Sequence, residues 1–227
     1  MSIFNYLLSG HQFKKAKQLT FDARQEEGEK ADQLFQQAYD SFAGISESYS
    51  NYADALYYWG FALLHQAQNK SSDQATTLFE EAINKFSFCK TVAPNHLGAA
   101  VDGGVALLGL AKSKQVELSH ELYQKAQESF ESAEQIQKGS ASYNLACIHA
   151  LKNEAQACLS ALENARDHGL VPDEENIIND NDLKNVKPLA WFSEYIESLK
   201  VEEEEETPVE TTEDEVEVEE KEESKES

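Results

Sequence analysis

The side chains of this 227-residue chain that could do acid–base, nucleophilic or metal chemistry are six histidines, three cysteines and 42 carboxylates. Their spacing decides what they can do. His11, His65, His96, His120, His149 and His168 form no HExxH pair on one helix face and meet no cysteine at zinc-ligand spacing. His149 and Cys147 are two residues apart, so on a helix they point to different faces. There is no GxxxxGK[ST] phosphate loop, and Gly103-Gly104 sits in a helical stretch rather than after a strand. Asn179-Asp180-Asn181-Asp182 has the acidity of a calcium loop, without the following glycine or a glutamate at the twelfth place. The chemistry-bearing residues therefore point to no catalytic site, no metal and no cofactor, and what remains is recognition by a surface.

Charge narrows the partners. The chain carries 42 acidic against 19 basic residues, a net charge of −23. Val201 to Ser227 alone holds 15 acidic residues against Lys221 and Lys225. Such a field repels nucleic-acid phosphates and anionic lipid, so the expected partner is a basic or amphipathic protein or peptide. No apolar run approaches the length that spans a membrane, and the order of charge and apolar residues at the start is not that of a secretory signal. Three widely spaced cysteines without a CxxC fit a reduced, cytoplasmic setting.

The elements that must build the surface are helices. Only four prolines and ten glycines interrupt long stretches rich in Ala, Gln, Glu, Lys and Leu. A small–large–small pattern at offsets of 4 and 7 recurs as Ala31-Phe35-Ala38, Ala75-Phe79-Ala82 and Ala126-Phe130-Ala133, with Cys158-Leu162-Ala165 as a degenerate copy. Those offsets put the three side chains on one helix stripe, where small residues admit a neighbouring helix and the large one fills the gap. Upstream, the string from Gly60 to Ala67 aligns with that from Gly104 to Ala111, and Ala146 takes the glycine's place before the last copy. Each unit thus reads as a helix with a small crossing residue, a turn, and a second helix carrying the pattern. The steps between copies are 44, 51 and 32 residues, with extra turns assigned to 69–74 and 112–125.

The segment YNLACIHALKNEAQACLSALENA, residues 143–165, resembles a tetratricopeptide repeat, and the other copies resemble the same repeat with stretched helices or turns. The resemblance implies an all-α fold: a right-handed superhelical solenoid of antiparallel helix pairs near 10–45, 50–93, 96–137 and 140–168. A capping segment over 170–200 completes domain 1–200. Within it Asp180 or Asp182 caps a short helix. Leu189, Phe192, Ile196 and Leu199 form the stripe of a final helix, with Trp191 and Tyr195 alongside. The apolar run Ile3 to Leu8 is expected to be helical and to cover the open end of the first pair. Residues 201–227 read as a disordered acidic tail, the helix persisting a turn or two past Leu199.

In this family the first helix of each pair lines a concave groove. Carried over, that implies a partner-binding groove of Asp54, Tyr57, Tyr58, Phe61 and His65, then Val101, Asp102, Val105 and Leu108, then Tyr143, Asn144 and Cys147. Aromatic rings with two carboxylates suit an amphipathic or basic peptide. The expected function is a non-catalytic scaffold or adaptor, with self-association left open. The alternative is an acidic, chaperone-like binder of basic clients such as histones or organelle presequences. The acidic peptide clamp found in some members of the family is not expected, because its places are held by Tyr57, Phe61, Asp102 and Val105.

Overall fold

The structure is a computed structural model describing residues 3–45, 47 and 50–205, with side chains placed within 10–199. Among the described residues all regular structure is helical. The helices are α1 (Ile3–Ala23), α2 (Gly28–Ala43), α3 (Tyr52–Gln68), α4 (Ser72–Val92), α5 (Leu97–Ser113) and α6 (Glu121–Ile136). They are followed by α7 (Ser142–Leu151), α8 (Ala155–Asp167), the short α9 (Glu174–Asn179), a 3-10 turn (Asn181–Leu183) and α10 (Ala190–Glu205). Neighbours in sequence pack as pairs, α1 with α2, α3 with α4, α5 with α6 and α7 with α8, and α1 touches α3 while α3 touches α5. The expected pairs are present, and the core is the seam between them.

All twelve residues of the four small–large–small copies are buried. What the packing changes is their register. A Cβ on Gly104 would lie 2.4 Å from the Phe130 ring, and one on Gly60 would lie 2.8 Å from Phe86 rather than against Phe79. The crossing aromatic of the second pair is therefore Phe86. Ala38-Phe42, Ala82-Phe86 and Ala126-Phe130 then stand 44 residues apart, as do Ala16, Gly60 and Gly104 at the crossing point and Ala23, Ala67 and Ala111 further along. The expected step of 51 residues is corrected to a regular 44 over three pairs, because Phe79 corresponds to the buried Tyr123 and not to Phe130. The assigned insertions shrink accordingly. Ser72–Gln74 is the first turn of α4, and only 114–120 separates α5 from α6.

Three helices end in one kind of turn. After α8, Gly169 at φ +64° donates to Arg166 O and Leu170 N–H reaches Ala165 O, the paired bonds of a Schellman motif. After α7 the left-handed place is held by Asn153 (φ 61°), and after α5 by Gln115 (φ 52°), whose neighbour Val116 donates to Ala111 O. Glutamine gains nothing in that conformation and suffers the Cβ clash. Gln115→Gly is expected to stabilise the chain by about 0.5–1 kcal/mol, the left-handed cost less glycine's greater chain entropy. Equilibrium denaturation checks it, and an unchanged or lowered midpoint would overturn it.

The closing segment seals the last pair. Asp180 Oδ1 accepts from Asp182 N–H at 2.8 Å, so Asp180 caps the 3-10 turn. Ile177, Leu183, Val186, Phe192, Tyr195 and Ile196 are buried against Ala146, Cys147, Cys158 and Leu162. Tyr195 takes the place expected of Leu189, which precedes α10 and is 37% exposed, and its hydroxyl donates to Leu162 O at 3.1 Å. The run Ile3–Leu8 is helical as the beginning of α1 itself, and the cover expected of it concerns side chains outside those placed. α10 continues through Glu205, and the acidic-tail reading falls from residue 206 onward outside the described residues.

Candidate partner-binding face

Period and pairing bring one face of α3 against α1 and α5. On α1 the small residues Ala16, Thr20 and Ala23 are buried, and Phe13, Lys17, Phe21 and Arg24 form another stripe at offsets of 4, 8 and 11. These four lie along the α3 rings. Phe13 meets Tyr58 edge-on at 5.7 Å between centroids, and Phe21 lies 6.4 Å from Phe61. Lys17 Nζ stands 4.2 Å over Tyr58, and the Arg24 guanidinium 5.2 Å over Phe61. Within α3, Tyr57, Tyr58 and Phe61 contact one another at 5.0–6.2 Å, and Phe61 meets the His65 ring at 4.2 Å. None of these α3 rings is fully buried, and Phe21 remains 40% exposed.

Tyr57 leans the other way, into the seam with α5. Its hydroxyl donates to Asp102 Oδ2 at 2.9 Å, its ring lies 4.7 Å from His96, and a Cβ on Gly98 would fall 2.7 Å from it. His96 caps α5: its Nδ1 accepts from Ala99 N–H at 3.1 Å, which assigns the ring proton to Nε2, 3.5 Å from Asp54 Oδ1. Burial raises the Asp102 carboxyl, opposed by the Tyr57 hydroxyl, His96 and Arg24. Burial, and then Arg24, push His65 down to about 4.

The structure thus gathers Asp54, Tyr57, Tyr58, Phe61, His65 and Asp102 into one patch. Val101 and Val105 are half-buried beside it, packed on the main core. Leu108 is buried and offers a partner no surface. Tyr143, Asn144 and Cys147 belong to the packing around α7. There the Tyr143 hydroxyl donates to Asp180 Oδ2 at 2.8 Å, and the Cys147 thiol reaches the same oxygen at 3.5 Å. Asp102 of α5 and Asp180 of the closing turn are each already engaged by a tyrosine. Cys89, Cys147 and Cys158 are buried and unpaired, and burial raises Cys89 to about 11 and Cys158 to about 12. Among the described residues no group of His, Cys, Asp and Glu could hold a metal ion, and no helix is long and apolar enough to cross a membrane.

Sequence reasoning missed the α1 contribution of Phe13, Lys17, Phe21 and Arg24. Its signal was present as the 44-residue offset from Phe13 to Tyr57 and from Lys17 to Phe61. It was hidden because the first pair carries Ala16 where Gly60 and Gly104 mark the crossing point, and Phe13 where α3 has Tyr57.

The face has a pH signature. His65 is held neutral in the folded chain, so its contribution to stability is present above the unfolded value of 6.5 and is lost as pH falls towards about 4. Asp102 acts oppositely, its raised carboxyl favouring the fold on acidification. In an Asp102→Asn background, adding His65→Gln is expected to flatten the fall in unfolding midpoint between those limits. Parallel curves for the two variants would show that His65 titrates as in the unfolded chain.

No family model matches this chain, no curated protein matches it, and no solved structure matches it.

Proposed function

We propose that the chain is a tetratricopeptide-repeat-like, right-handed superhelical solenoid serving as a non-catalytic cytoplasmic adaptor, and that it docks an amphipathic protein segment on the concave side of α1, α3 and α5. The observation that carries this reading is the row Phe13, Tyr58, Phe61 and Phe21. These rings touch one another edge-on or tilted, remain partly exposed, and are overlaid by Lys17 and Arg24. Half-buried aromatics flanked by cations supply contact area with little side-chain entropy to lose, the composition of binding hot spots. The alternative, an acidic binder of basic clients, draws on the net charge of −23. On this face, however, Asp102 is taken by Tyr57, which leaves Asp54, beside His96, as the one groove carboxylate among those expected to meet a client's lysine or arginine.

Tyr58→Ala is expected to weaken the client captured by the full-length chain by about 1–3 kcal/mol, roughly 5- to 150-fold, with the helical spectrum kept and the chain still folded at the assay temperature. Undiminished capture would place the client elsewhere. Capture that collapses steeply with ionic strength and ignores Tyr58 would favour the basic-client alternative.

A further inference from the structure

We propose that the cavity between the end of α2, α3 and α4 binds a small amphipathic monocarboxylic acid, its carboxylate on the Lys85 ammonium and its apolar body against Trp59 and Phe88. The cavity measures about 620 Å³, within the range that encloses small ligands. It uses a different stripe of α3 from Tyr58 and Phe61, so it is separate from the face assigned to the protein client. Trp59 is stacked on Phe42 at 6.5 Å between centroids and is only half-buried. Phe88 and Val92, one turn apart on α4, are 62% and 52% exposed at the rim. The cavity opens because α2 stops at Ala43. Counted in the 44-residue register, α4 and α6 run five residues further, to Val92 and Ile136.

The next repeat shows that the fold does not require these side chains. One period on, Phe86, Ala99, Gly103 and Ser129 line the same junction, and the cleft there is about 300 Å³. Trp59, Lys85 and Phe88 are replaced by Gly103, Ser129 and Ser132. Ser129 is buried, its hydroxyl donating to Ala100 O at 2.9 Å, whereas Lys85 Nζ stands 3.5 Å over the Trp59 ring. Lys85 has no carboxylate within 4 Å among the described residues. Burial lowers its ammonium, opposed by Glu81, which does not line the cavity. A half-buried cation without a counter-ion gains from an anion delivered along the same apolar wall. Glu47 also lines the cavity, but it is exposed and therefore screened by water. Its charge favours a ligand with one negative charge over one with two, a carboxylate over a phosphate. The net charge of −23 is screened beyond about 8 Å at physiological salt, so the contact with Lys85 decides.

Tryptophan fluorescence of the full-length Trp191→Phe chain, in which Trp59 is the sole indole, tests this directly. ω-Bromoundecanoate should quench Trp59 saturably, because bromine quenches at contact, and excess decanoate should restore the emission. Lys85→Gln should weaken the acid at least about fivefold and the corresponding alcohol less than about twofold, the upper end for a partly exposed ion pair. Phe88→Ser, which matches the next repeat, should weaken both alike. An unchanged helical spectrum checks that each variant is folded. Quenching that rises without saturation to about 1 mM, or equal losses for acid and alcohol in Lys85→Gln, would overturn the proposal. So would equal quenching of Trp191 in the Trp59→Phe chain, which would place the acid elsewhere. Dimerisation with concentration that shields Trp59 from the quencher would give the cavity to a second copy and overturn it as well.

Discussion

Phe130→Ala should cost about 3–5 kcal/mol of unfolding free energy, the range for deleting a fully buried aromatic. The ring is completely buried between Gly104 and the α6 stripe, and Gly104 has no side chain with which to close the space. The cavity would open where α5 and α6 cross, so the neighbouring pairs cannot relax into it without losing their own contacts. Gly104→Ala approaches the same seam from the other side. Its new methyl would stand 2.4 Å from the ring, and separating the helices should cost about 1–3 kcal/mol. Denaturant titration of each variant measures both. A loss below about 1 kcal/mol for Phe130→Ala would mean that the seam repacks and that the 44-residue register has no structural weight.

Glu134→Ala should cost about 2–4 kcal/mol, because one carboxylate satisfies several donors at the entry to α7. Glu134 Oε2 accepts from Gly139 N–H at 2.9 Å, and Oε1 accepts from Ala141 N–H at 2.7 Å and from the Ser142 hydroxyl at 2.9 Å. Asn164 of α8 reaches both Ser142 and Glu134. Ala141, the residue before α7, offers no side-chain cap, so this carboxylate of α6 performs that task from a distance. Ser142 is itself buried, and removing the acceptor leaves its hydroxyl and two amides to find others. Glu134→Gln keeps an acceptor oxygen and should recover part of the loss. Equal stability of all three chains would show that water replaces the carboxylate without cost.

The helical class, the pairing and the order of the pairs are written in the chain, because each depends on local periodicity. Alanines at offset 7 around an aromatic define a stripe whatever lies opposite, and the small residues Gly60, Gly104 and Ala146 mark where a neighbour must come close. Local pattern could not say which aromatic meets which small residue. Phe79 and Phe86 lie seven residues apart on the same stripe of α4, equivalent by periodicity, and only the crossing with α3 selects Phe86 for Gly60 and leaves Phe79 against Gly109. The candidate face divides the same way. Its α3 rings are legible as exposed-type aromatics beside a buried stripe. Their surroundings are not, because Lys17 over Tyr58 and Tyr57 bonded to Asp102 join residues 41 and 45 positions apart. Contacts at that separation follow from how one helix pair is set on the next, which is decided by the fit of Gly60, Gly98 and Gly104 against rings contributed by other helices.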